Sequence, residues 1–176
     1  MPLAVFKFWG TVRTYRTEIS LGRKREPVPC SLPFTYWVFG RPISTRNDDN
    51  DTPRALPAWR RKINSTVDAE VASLTKGRGY EPILDRVEIR VIWLSTDPFD
   101  KDQPDVDNML KPLIDALNGR VIADDRQVHR ILAEKTNVNY AVPIISEVSN
   151  EIADDPDYGG EVVVVRVSNF SLEYTQ

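Results

Sequence analysis

One cysteine and one histidine stand among 176 residues. A lone cysteine excludes an internal disulfide and a cysteine-rich zinc site, so Cys30 reads as a small, half-buried residue. The sole histidine, His129, falls in an expected strand, where a core or edge position is the simpler reading than a catalytic one. Long apolar runs are also missing. The longest, Glu161-Val-Val-Val-Val-Arg166, is strand-length, far short of the roughly 20 residues that a membrane helix needs. The opening stretch MPLAVFKFWGTVRTYR has no basic segment leading into an uninterrupted apolar core, so no secretory signal is expected and a cytoplasmic location follows by default. There are no internal repeats or low-complexity tracts. Excess positive charge is absent too: the formal net charge is -3. This tells against a polycationic nucleic-acid coat, but carboxylates that hold cations would count as negative in the same tally.

What is present fits a single soluble globular domain, with 41% hydrophobic and 28% charged residues. The charge is unevenly spread. Residues 1–30 lean basic through Lys7, Arg13, Arg16, Arg23, Lys24 and Arg25, the pattern of either a nucleic-acid arm or a solvated surface. Residues 147–161 are acidic. The proline-containing stretch from Arg23 to Pro33 reads as a linker that neither a helix nor an inner strand can occupy. One or two edge strands are expected within residues 3–21.

Beyond the linker, Phe34 to Gly40 has strand composition, and a polar loop follows from Ser44 to Pro53. Trp59, Ile63, Val67, Val71 and Leu74 recur at helical spacing, which predicts a helix from Pro57 to Lys76 with proline at its start and Gly77 as its stop. On this register Arg60, Arg61 and Lys62 lie in the first turn and oppose the helix dipole, a conflict that a bound phosphate would relieve. Val87, Ile89, Val91 and Trp93 alternate as a strand. Leu110, Leu113, Ile114 and Leu117 form one face of a second helix over residues 108–118, closed by Asn118-Gly119. Strands at about 127–136 and 161–168 complete an α/β (α+β) fold, a small mixed sheet packed by two helices.

Carboxylates crowd the span from Asp105 to Asp125. On an extended segment Asp105 and Asp107 would point the same way, and Asp124 and Asp125 follow after one helix and a short connection. Such groups repel unless a hard divalent cation separates them; Mg²⁺ suits all-oxygen donors, and the lack of a Cys or His pair disfavours zinc. Asn108 is expected as the helix N-cap, which would put Pro112 at the fourth helical position, where no intrahelical bond is lost. Lys111 and Asp115 then lie four apart on the polar face, with the ammonium near the carboxylates. By contrast, Asn47 to Asp51 lacks the glycine and terminal glutamate of a calcium loop and reads as a solvated loop.

Asp105-Val-Asp107-Asn108, Lys111, Asp115-Ala-Leu-Asn-Gly119 and Asp124-Asp125-Arg-Gln127-Val128 resemble the RusA family of Holliday junction resolvases. The likeness is dense over residues 104–128, and the order of elements is compatible over about 34–140. Gly40-Arg41-Pro42 also looks like that family's early glycine-proline loop. The resemblance implies a small mixed α/β subunit, working as a homodimer, that nicks symmetric strands of a four-way DNA junction with Mg²⁺ or Mn²⁺. Carried over by position, the metal-binding and catalytic carboxylates are Asp105, Asp107 and Asp125, and the essential lysine is Lys111. Asp124, Asn108 and Asp115 take supporting roles. Arg41, Arg46, Arg60, Arg61 and Lys62 are candidate DNA contacts. Residues 1–33 then form an N-terminal extension and 34–176 the nuclease domain. The extension and the acidic segment both lie outside the likeness.

Two other classes are compatible with parts of the pattern. A branched-DNA binding module of the same fold would gain nothing from concentrated negative charge beside phosphates. An Asp-x-Asp enzyme acting on a nucleotide diphosphate would need a nucleotide-binding half that the chain lacks.

Overall fold

The computed structural model describes residues 27–43, 52–76, 78–96, 104–137 and 160–172. The strands expected within 3–21, the loop from Ser44 to Asp51, Arg46 and the acidic segment up to residue 159 lie outside these. Eight elements and a 3-10 turn follow in chain order: β1 (Val28–Pro29), β2 (Phe34–Phe39), α1 (Thr52–Thr75), β3 (Tyr80–Glu81), β4 (Val87–Ser95), α2 (Val106–Leu117), the 3-10 turn (Asp125–Gln127), β5 (Val128–Asn137) and β6 (Val162–Asn169).

The main sheet has the order β2-β6-β4-β5. β6 pairs antiparallel with both β2 and β4, whereas β4 and β5 run parallel. A parallel pair cannot be joined by a hairpin, so the chain must cross from the end of β4 back to the start of β5, and α2 lies on that crossover. The register Val87↔Val128 to Ser95↔Asn137 fixes the two strands side by side along their whole length.

Alternation along β4 sends Val87, Ile89, Val91 and Trp93 to the face packed by both helices, in one cluster with Phe34, Tyr36, Val163 and Val165. Its second half is apolar on the other side as well, where Ile92 and Leu94 pack with Phe39, Val162 and Val164. An inner strand buried on both faces reads as a continuous apolar run, and Val162 to Val165 in β6 does the same.

Helix α1 starts at Thr52, not at Pro57, which is its sixth residue. Arg60, Arg61 and Lys62 are therefore two turns inside the helix and exposed, and the dipole argument for a phosphate beside them lapses because the dipole acts within the terminal turn. The buried stripe is Trp59, Ile63, Val67, Val71 and Thr75. A strict four-residue step keeps position 75 inward, so Leu74 is 45% exposed and the Thr75 hydroxyl donates to the Val71 carbonyl instead. Beyond the helix, β1 and β3 form a two-residue parallel pair that the sequence did not announce, and Cys30 next to it is buried in the core rather than half-buried. Arg120, just past α2, donates to Asp68 of α1 at 2.7 Å and ties the helices together.

Candidate active site

Helix α2 reaches back to Val106, so its N-cap is Asp105, with extended backbone (φ -65, ψ 151), and not Asn108. Val106 packs against the core in step with Leu110 and Leu113, and this apolar spacing draws the helix start forward by two residues. The amide of Asn108 donates to the Asp105 carbonyl at 3.1 Å, so Asn108 lies in the first turn. Pro112 becomes the seventh helical residue, deeper than its expected place, and removes the amide that would have met the Asn108 carbonyl. Its ring is buried, which compensates in packing.

The same shift changes the aspartates. Asp105 and Asp107 are not a pair on an extended strand: one caps the helix and the other is its second residue. Successive helical positions turn by about 100°, so their common direction cannot be argued from strand alternation. Asp105 makes no side-chain cap hydrogen bond, and both carboxylates are exposed. Lys111 follows Asp107 by one turn, and its Nζ lies 3.3 Å from the Asp115 carboxylate, with both side chains largely solvated.

Asp124 and Asp125 lie past the far end of α2. The chain leaves Leu117, whose carbonyl accepts from Val121 and Ile122, and then runs beside Ile83: Ile83 N–H donates to Val121, and Ala123 donates back to Ile83. Asp124 caps the 3-10 turn, accepting from the Arg126 amide at 2.9 Å while the Gln127 side chain accepts from the Asp124 amide at 2.8 Å. The Arg126 guanidinium grips both Asp124 oxygens, at 2.8 and 2.6 Å, and holds that carboxyl well below the usual carboxylate range. Asp125 begins the turn and is exposed. Gln127, which sequence reasoning left without a role, spends both amide hydrogens on the carbonyls of Ile83 and Asp85, at 2.9 and 2.8 Å. The capping-box spacing from Asp124 to Gln127 was the available signal for it.

Among the other expected residues, Arg41 is paired with Glu161 at 3.0 Å. Arg60, Arg61 and Lys62 lie exposed on α1. His129 is exposed on β5, its ring 5.2 Å from that of Phe170. The donor chemistry of Asp105, Asp107 and Asp125 suits a hard divalent cation. Their positions in one chain do not complete such a site: among the described residues no three His, Cys, Asp or Glu side chains form a group able to hold a metal ion.

A small mixed α+β subunit with a solvated aspartate-lysine helix start and a second aspartate pair beyond that helix is the framework of a nuclease of branched DNA. Residues 41–145 match the family described as Endodeoxyribonuclease RusA. The chain belongs to that family of Holliday junction resolvases, whose nucleases depend on divalent metal ions. No match to a curated protein was found. No helix among the described residues is long and apolar enough to cross a membrane.

Proposed function

We propose that the protein is a cytoplasmic, Mg²⁺-dependent endodeoxyribonuclease, with Mn²⁺ as substitute, that works as a homodimer and resolves four-way DNA junctions by paired phosphodiester nicks. The observation that carries this reading is the start of α2, where Asp105 caps the helix with its carboxylate uncommitted, Asp107 follows two residues on, and Lys111 stands one turn later. Asp105, Asp107 and Asp125 would hold the metal. When bound, a divalent ion lowers the pKa of water and offsets charge on the departing oxygen.

The chain's own residues supply the rest. Lys111 brings a positive charge to the helix start, where it can offset the negative charge that builds on phosphate oxygens. Its pairing with Asp115 is solvent-screened and weak, so the ammonium exchanges partners readily. Asp124 spends its charge on Arg126 and its geometry on the turn, a supporting role beside Asp125. Asn108 belongs to the same first turn of α2. Arg60, Arg61 and Lys62, together with Arg41 and Arg46, are the proposed phosphate contacts.

A labelled four-way junction incubated with the protein and Mg²⁺ is the direct test. Paired nicks are expected from the wild type, and Asp107→Asn should bind the junction without cutting. A junction left intact by the wild type with Mg²⁺ or Mn²⁺ across a range of pH would refute this reading.

A further inference from the structure

The two halves of the carboxylate set sit at opposite ends of one helix. Asp105 is the N-cap of α2, and Asp125 is reached only after its C-terminus, where hydrogen bonds fasten the chain to Ile83. Twelve helical residues span roughly 18 Å. The connection beyond them is pinned on the side away from Asp105, because Gln127 holds the 3-10 turn to Ile83 and Asp85, just before the first residue of β4. Ligands of one ion must come within about 2–2.6 Å of it. One copy of the chain therefore does not bring Asp125 to Asp105 and Asp107, in agreement with the lack of a three-carboxylate group among the described residues.

The sheet offers a way to close this distance. β5 is the last strand on its side of the main sheet among the described residues, ten residues long, and Ile131 and Leu132 at its middle are 42% and 46% exposed. A long edge strand with exposed apolar side chains is a template for pairing with another strand. If two copies meet across a two-fold axis at the middle of β5, the strands run antiparallel. The start of β5, with Asp125 just before it, then lies beside the end of β5 in the other copy. That end is flanked by the end of β4, because Asn137 pairs with Ser95, and the chain from Ser95 leads on to the start of α2.

We propose that the active site is composite: Asp125 of one subunit completes the metal-binding set of Asp105 and Asp107 in a second copy of this chain, the two meeting through the β5 edge. This rests on the proposed nuclease function and states where its ligands come from. Each dimer then holds two sites, each built from both chains.

Mixing two inactive variants tests it. Asp107→Asn and Asp125→Asn are co-expressed with different tags and the mixed dimer is purified through both. In a composite arrangement one site of that dimer carries both substitutions and the other carries none. The mixed dimer should regain about half the wild-type nicking rate, as single rather than paired nicks, and should bind Mn²⁺ at one tight site per dimer by electron paramagnetic resonance. Leu132→Glu should yield monomers in sedimentation that lack the tight Mn²⁺ site while keeping the wild-type circular dichroism. A verified mixed dimer that stays inactive and binds no Mn²⁺ tightly, beside an active wild type, overturns the composite site alone. A wild type that neither cuts junctions nor binds Mn²⁺ overturns the nuclease reading and the composite site with it.

Discussion

The side-chain amide of Gln127 donates to the carbonyl of Ile83 at 2.9 Å, across 44 positions of sequence. Its second hydrogen goes to Asp85 and its oxygen accepts from Asp124, so the orientation of the amide is fixed by three different partners. Both carbonyls need a donor, and a glutamate in the same place would face them with oxygen.

Gln127→Leu removes all three bonds. A hydrogen bond contributes roughly 0.5–1.5 kcal/mol, and water replaces part of what is lost at this half-exposed turn, so a loss of about 1–3 kcal/mol in urea unfolding is expected. Junction cutting should fall about 10–100-fold, the usual range when a partner that orients a ligand is lost. Unchanged cutting by the folded variant would show that the turn holds Asp125 without Gln127.

Asp115→Asn frees Lys111 from its partner. The pair is mostly solvated, so stability should change by no more than about 1 kcal/mol. Junction cutting should stay within about tenfold of wild type, whereas Lys111→Met should lose it, if the lysine serves charge at the phosphate. Single-turnover rates with labelled junction distinguish these. Equal losses in both variants would mean that Asp115, and not the reaction, is the lysine's essential partner.

Arg126→Ala alters the acid limb of stability. The Arg126 guanidinium depresses the Asp124 pKa in the folded chain, so the folded state binds fewer protons than the unfolded one at mildly acid pH. Its contribution is therefore full above the ordinary aspartate value of about 3.9 and is lost as the pH falls toward the depressed folded value. The variant should be less stable at pH 7 and lose less between pH 5 and 2 than the wild type. Parallel curves in urea titrations at several pH values would contradict this.

Leu113→Ala and Leu74→Ala test the two helix registers. Leu113 is fully buried, so its truncation should cost about 2–5 kcal/mol. Leu74 is 45% exposed, and its truncation should cost less than about 0.5 kcal/mol, in thermal or urea unfolding. The opposite order would place position 74, not Thr75, on the inner stripe.

Much of the fold was legible because the periods of burial are written in residue types. Val87 to Trp93 alternate as a strand, and Trp59 to Val71 step by four as a helix, whatever surrounds them. Helix starts were less legible. Asp105, Asp107 and Asn108 are all good caps, and only the packing of Val106 against the core selects the first of them. In the same way α1 extends past Pro57, because a proline in the first turns sacrifices little hydrogen bonding. The pairing of β1 with β3 left no trace in the sequence: two residues carry no period, and their partner is distant.

By itself the sequence determined the family and the chemical character of the candidate site. The order Asp105, Asp107, Lys111, Asp124, Asp125 is a property of side chains and spacing, and residues 41–145 carry the family match. Only the tertiary structure decided where those groups stand. A parallel β4–β5 pair forces a crossover, the crossover is a helix of fixed rise, and that helix sets the first aspartates and the last ones at its two ends.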